Sequence, residues 1–228
     1  MNCLVLDTAT EACSVALQWQ GQQVNRFEVC PQQHSQRLLP MVDEVLAEAK
    51  AELTQLDFIG FGRGPGSFTG VRIATGMLQG LALGANLPAI GVSTLAAMAQ
   101  QAIETYQARD VFCAIDARMG EVYFAHYQVL DGLASLQGEE QVLPPSEAAK
   151  LLVASSGAYG VGTGWAAYAE LDANQQIKVL ADILYPDAKF MQSLAIALFN
   201  QGQVQTAEEV QPVYVRDTVT WKKLPGRE

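Results

Sequence analysis

Cys3-Leu4-Val5-Leu6-Asp7-Thr8-Ala9-Thr10, a short apolar run closed by an acid and a turn of small and hydroxyl residues, has a counterpart in the second half of the chain. That counterpart is Val111-Phe112-Cys113-Ala114-Ile115-Asp116-Ala117-Arg118-Met119-Gly120. Alternation of period two follows each. After the first, Cys13, Val15, Leu17 and Trp19 share one face and Ala12, Ser14, Ala16 and Gln18 the other; after the second, Val122–Val129 alternates up to the turn pair Asp131-Gly132. Such alternation marks a half-buried strand. Both stretches therefore read as a strand running into a hairpin.

The pattern outside the hairpins repeats as well. A third run holds Val24, Phe27 and Val29, and Ser35 can cap a helix in which Leu38, Leu39, Met41, Val42, Val45, Leu46 and Ala49 recur at spacings of three and four. Phe58–Phe61 reads as a strand leading into a glycine-rich loop and a helix to about Gly84. Pro88–Gly91 is a short strand, and Ser93 caps a helix to about Gln107. In the second half a strand ends near Leu143, a helix fits Pro145–Ala154, a strand Ala158–Val161 and an amphipathic helix Ala188–Asn200. The order strand-strand-strand-helix-strand-helix thus occurs twice, with a period of about 110 residues, too long for a solenoid. It predicts a duplicated α/β protein, residues 1–110 and 111–228, each half a mixed sheet with flanking helices and ligands expected where the halves face each other.

Composition narrows the function. Half of the 228 residues are hydrophobic and 17% charged, enough for a large core. Asp and Glu outnumber Lys and Arg by 24 to 14, a net charge of −10, which opposes an unassisted grip on nucleic acid or on an anionic membrane surface. The N-terminus reaches Asp7 before an apolar targeting segment could form, and Val71–Val92 carries Arg72, Gln79, Asn86 and Pro88, so it is no bilayer span. The four cysteines form no C-x-x-C pair. A reduced, soluble, cytoplasmic protein is expected.

The matched turns offer the first candidate site: Asp7, Thr8, Thr10, Asp116, Arg118 and Gly120. An Asp closing the first strand ahead of a tight hairpin resembles the arrangement in ATP-binding proteins of the actin, hexokinase and Hsp70 superfamily, where turn N–H groups hold phosphates. The plain alternative is that both acids end strands and cap turns. Ala117-Arg118 stands where a phosphate-gripping turn would offer glycine, although an always-charged guanidinium suits an anion. The loop Gly62-Arg63-Gly64-Pro65-Gly66-Ser67-Phe68-Thr69-Gly70 is not a P-loop, because Gly70 is followed by Val71-Arg72 rather than lysine. Its helix carries Gly76, Gly80 and Gly84, each costing about 1 kcal/mol against alanine, so a close backbone approach is expected there, from the protein's own sheet or from a partner's helix. Gly160-Val161-Gly162-Thr163-Gly164 could approach an adenine or simply turn. The two histidines, His34 and His126, belong to no metal-ligand spacing, and Arg216, Lys222, Lys223 and Arg227 read as a solvated basic tail.

Together these motifs resemble the bacterial TsaB (YeaZ) family. Leu6–Thr10, Gly64–Arg72, Asp116-Ala117-Arg118-Met119-Gly120-Glu121-Val122-Tyr123 and Trp221-Lys222-Lys223-Leu224-Pro225-Gly226-Arg227-Glu228 carry the resemblance, which runs from end to end. It implies a duplicated actin-like ATPase fold and a part in making threonylcarbamoyladenosine on tRNA, beside the anticodon. It further implies a non-catalytic subunit with no cofactor of its own, paired with a TsaD-like paralogue that holds the ATP, the metal and the active site, and joined by a TsaE-like ATPase. The paralogue's metal-binding histidines would fall at Ser93-Thr94-Leu95-Ala96-Ala97-Met98-Ala99, where this chain has no histidine or acid.

A scaffold needs an apolar surface. The sequence points to two helices, with Leu38, Leu39, Met41, Val42, Val45 and Leu46 on the first and Ile73, Met77, Gly80 and Leu81 on the second. Paired with the same helices of a partner, or of a second copy when the partner is absent, they would form a four-helix interface. Under this reading tRNA is met only through the complex, and no membrane is involved. The competing expectation is a stand-alone enzyme, kinase-like or metallopeptidase-like. A kinase needs a base and Mg²⁺ ligands, for which only Asp7 and Asp116 are placed; a peptidase needs a metal- or base-activated water.

Overall fold

The computed structural model describes residues 1–152 and 157–216. The end of the predicted helix Pro145–Ala154 and the tail with Trp221, Lys222, Lys223 and Arg227 lie outside that range.

In the first half β1 (Cys3–Asp7), β2 (Ala12–Trp19) and β3 (Gln22–Val29) form an antiparallel meander. The chain continues through α1 (His34–Ala49), β4 (Phe58–Gly64), α2 (Phe68–Ala85), β5 (Ala89–Ser93) and α3 (Thr94–Tyr106). Strands β4 and β5 join in parallel, so the sheet order is β3-β2-β1-β4-β5. The second half repeats the plan with β6 (Asp110–Asp116), β7 (Val122–Leu130), β8 (Leu133–Leu143), α4 (Pro145–Lys150), β9 (Tyr159–Val161), α5 (Gly164–Ala167), β10 (Lys178–Val179) and α6 (Ala188–Asn200). Its sheet runs β10-β9-β6-β7-β8. Both sheets are mixed and flanked by helices. Ser93 caps α3 as expected, accepting the Ala96 N–H, and Ser67 caps α2 by accepting the Gly70 N–H; Ser35, expected to cap the first helix, lies inside α1, which starts at His34 behind Gln33 with no side-chain cap.

The layering explains the burial. Leu4, Leu6, Val15, Leu17 and Phe61 on one face of the first sheet meet Leu38, Met41, Val45 and Leu78 of α1 and α2. Cys3, Val5, Ala16, Phe58 and Ile90 on its other face meet α3 and α6. Those two helices also cover Val111, Cys113, Ile115 and Tyr127 of the second sheet, whose outer face, with Phe112 and Phe124, is closed by Ala148, Trp165 and Leu171. The helices cross over. Helix α3 comes from the first half and packs on β6, β7, β8 and β9, whereas α6 comes from the second half and packs on β1, β2, β4 and β5. One core therefore runs through both halves. A polar clasp adds to it: Glu140 of β8 accepts from Tyr127 at 2.7 Å, from Arg63 of β4 at 3.4 Å and from Ser93 of β5.

The burial corrects the predicted partner surface on α1. Leu38, Met41, Val42 and Val45 are fully buried under α1 in the protein's own core; Leu46 is half-buried and Leu39 is 40% exposed. A stripe of period 3.6 shows that one face of a helix is buried, not what buries it. Val45→Glu is accordingly expected to unfold the chain instead of merely separating it from a partner. The buried charge costs on the order of 4 kcal/mol, much of a margin of about 5–15 kcal/mol; a native-like circular dichroism spectrum and unfolding midpoint would contradict this. All four cysteines are free and buried. Burial pushes the Cys3 and Cys13 thiols up to about 12, so they are inert core groups at neutral pH. Among the described residues, no helix is long and apolar enough to cross a membrane.

Candidate functional site

The two matched turns face each other across a cleft of about 820 Å³, walled by Thr10, Phe68, Arg118, Tyr123, Tyr214 and Arg216 among others. Of the six predicted turn residues, Thr10, Asp116 and Arg118 line the cleft. Asp7 and Thr8 are sealed beneath it, and Gly120 closes the second turn at φ 76°.

Asp7 ends β1 inside the sheet. Its Oδ1 accepts the Ala9 N–H at 3.1 Å, while its buried Oδ2 has no hydrogen-bond partner. Burial, with Asp187 nearby and against the pull of the Ala9 N–H, pushes its carboxyl up to about 7. The glycine loop lies directly on this turn. A Cβ on Gly62 would fall 1.7 Å from Asp7 Oδ2, one on Gly66 2.3 Å from the Ala9 carbonyl and one on Gly70 2.1 Å from the Thr8 carbonyl. The Ser67 N–H donates to Ala9 at 2.7 Å, and Thr8 Oγ1 donates to the Gly70 carbonyl at 2.7 Å. The loop thus cradles the protein's own first turn, and the space that a glycine-rich loop would offer a phosphate is filled by backbone.

The second turn is built differently. Asp116 accepts the Arg118 N–H at 2.9 Å, the Tyr168 hydroxyl at 2.9 Å and the Arg118 guanidinium at 3.2 Å. Arg118 also reaches Glu11 at 3.0 Å, bridging the turns across the cleft with a side chain still 74% exposed. Arg118, Met119 and Gly120 are consecutive left-handed residues, at φ 62°, 59° and 76°, a costly arrangement for the two that carry side chains. The glycine run of β9 and α5 packs inward: Gly162 and Gly164 sit against Ala114, and Thr163 Oγ1 accepts the Asp116 N–H at 3.0 Å. It turns the chain tightly against β6.

One feature escaped the sequence reading. Arg216, expected in a solvated tail, is largely buried and pairs with Glu121 and the Ala117 carbonyl. The segment 211–216 that carries it has no periodicity to announce it. On α2, Gly76, Gly80 and Gly84 have nothing within 4 Å of an added Cβ among the described residues. The close backbone approach predicted there is not made by the protein's own sheet, since these glycines point outward. Gly80 lies on this open face, while Ile73, Met77 and Leu81 are half-buried at its edges. Among the described residues, no group of three His, Cys, Asp or Glu side chains could hold a metal ion.

This architecture is that of the actin-like ATPase fold. The chain of (R)-2-hydroxyglutaryl-CoA dehydratase component A from Acidaminococcus fermentans shares it at 9% identity, with a TM-score of 0.51 over 89% of this chain and 99% of that one. The family model described as "TsaD: tRNA N6-adenosine threonylcarbamoyltransferase" matches residues 28–213, which makes the chain a TsaD-related protein. Closer likenesses are specific. The tRNA threonylcarbamoyladenosine biosynthesis protein TsaB of Escherichia coli is 49% identical over the whole of both chains, and that of Haemophilus influenzae 47% identical over 100% of this chain and 99% of the other. YeaZ from Pseudomonas aeruginosa superposes with a TM-score of 0.88 at 46% identity, over 93% of this chain and 99% of that one. The chain belongs to the TsaB (YeaZ) family and has a role in tRNA threonylcarbamoyladenosine biosynthesis.

Proposed function

We propose that the chain is a non-catalytic assembly subunit for threonylcarbamoyl transfer to tRNA adenosine. It docks through the exposed face of α2 and the Leu39 edge of α1 onto a TsaD-like paralogue, and onto a second copy of itself when the paralogue is absent. A TsaE-like ATPase joins the pair. ATP and metal reside on the paralogue, and tRNA is met in the cytoplasm through the complex.

The glycine face of α2 carries this reading. Three interior glycines weaken a helix by about 1 kcal/mol each, and among the described residues nothing lies within 4 Å of a Cβ added to them. A second helix laid on the face would make use of them. Two further observations support a subunit without its own chemistry. Asp7 is sealed from the cleft under Gly62, and Asp116 is occupied by Arg118 and Tyr168. These turns do not fit a metal-bound phosphate, and no reaction step is assigned to them. Net charge −10 opposes independent tRNA binding.

Reconstituted threonylcarbamoylation of tRNA tests the reading. Omitting the chain should abolish the product, and Asp116→Asn should leave the rate near that of the unaltered protein. Loss of a catalytic carboxylate costs about a hundredfold or more, so a fall of that size in a folded Asp116→Asn protein would establish an enzyme instead.

A further inference from the structure

Residues 211–216 run along the cleft as an irregular strap that touches both halves. On the first half, the Val213 N–H donates to the Arg63 carbonyl at 2.7 Å. The Tyr214 hydroxyl accepts from Arg72 Nε at 2.8 Å, and its ring lies 5.8 Å from that of Phe68. The Arg72 guanidinium stands 3.4 Å over the Phe68 ring. On the second half, Arg216 donates to the Ala117 carbonyl at 3.2 Å and pairs with Glu121. Ala117 and Glu121 close the left-handed turn that presents Arg118, through a 2.9 Å bond from the Ala117 N–H to the Glu121 carbonyl.

The two anchors differ in exposure. Arg216 is held in shelter, whereas Phe68 is 58% exposed even beside Tyr214. Phe68, Arg72, Gly76, Gly80 and Gly84 also succeed one another at intervals of four along α2 and are all exposed. They form one ridge, and Tyr214 caps its head. A helix crossing at Gly76 and Gly80 along this row meets Arg72, whose guanidinium holds both the Phe68 ring and the Tyr214 hydroxyl, and so competes with the strap.

We infer that the strap is a latch coupling occupation of the α2 ridge to the cleft and the Arg118 turn. When a second helix takes Arg72, Tyr214 is released. The strap then lifts at Val213 and Tyr214, pivots on Arg216, and uncovers the cleft. This rests on the docking reading above, with the paralogue as the occupant.

Hydrogen exchange of peptides spanning 210–216 and 117–121 tests it in two arms. In the isolated chain, diluted until it is monomeric so that no second copy occupies α2, Tyr214→Ala and, separately, Arg72→Ala should speed exchange in both peptides by about tenfold, the effect of losing one charge-assisted hydrogen bond. A change confined to 210–216 would overturn the link to the Arg118 turn. In the second arm the paralogue is added to the unaltered chain at the same dilution, where it is monomeric, and the same two peptides should exchange faster once the complex forms. A complex that leaves 210–216 unchanged or slower overturns the latch while sparing the docking reading. Failure of any complex to form removes the docking reading itself, and the latch with it.

Discussion

In a Gly76→Gln/Gly80→Gln variant, the isolated chain should resist denaturant better than the unaltered protein while losing its partner. The two effects have opposite signs because they arise in different places. Glutamine is a better helix former than glycine by roughly half a kcal/mol or more per site, and both positions face open space among the described residues. The same side chains would fill the gap that an approaching helix needs. Overpacking costs about 1–3 kcal/mol per site, so affinity for the paralogue should fall by a hundredfold or more. Calorimetric titration and urea unfolding of one preparation measure both. Unchanged affinity would place the partner elsewhere, and a loss of stability would mean that the glycines pack inside the molecule after all.

The second large effect concerns Asp7. Its folded-state carboxyl stands at about 7 against an ordinary 3.8, mainly through burial. A raised carboxyl stabilises the fold while it stays protonated, so this contribution is full below pH 3.8 and is lost as pH rises through about 7. A shift of this size corresponds to on the order of 4 kcal/mol. Asp187, half-buried and also raised by desolvation, adds a slope of the same sign. Asp7→Asn removes the ionisation, and its Oδ1 can still accept from Ala9. The variant should therefore match the unaltered protein below about pH 3.8, exceed it in stability increasingly up to about pH 7, and show a flatter profile across that range. Parallel profiles for the two proteins would show that Asp7 is ionised and solvated in the fold.

Much of the architecture was legible because it is local. Period-two alternation located the hairpins, the Asp131-Gly132 turn lies between β7 and β8, and Ser93 caps α3 through a bond of short range. The pairing of helices with sheets was not legible. A stripe such as Leu95, Met98, Ala99 and Ala102 shows only that a face is covered, and nothing in it distinguishes β6 from β1 as the cover. The same ambiguity sent Leu38, Met41, Val42 and Val45 to a partner surface when they belong to the core. In the site, the acids of both turns were visible from their place after β1 and β6. That one is sealed under Gly62 and the other occupied by Arg118 depends on neighbours 55 and two residues away, and only the folded chain brings the first of them close. The strap and the segment 164–179, short and aperiodic, gave no pattern to read.

The crossing of α3 and α6 also bears on how the chain comes off the ribosome. The inner face of the first sheet, with Cys3, Val5, Ala16, Phe58 and Ile90, is complete once β5 has emerged, yet its cover includes α6, residues 188–200. At about 5–20 residues per second, that face waits roughly 5–20 s for its helix. During that interval the nascent first half is an open apolar sheet. It cannot mature as a finished unit ahead of the second half, and it is a natural client for a chaperone at the exit tunnel.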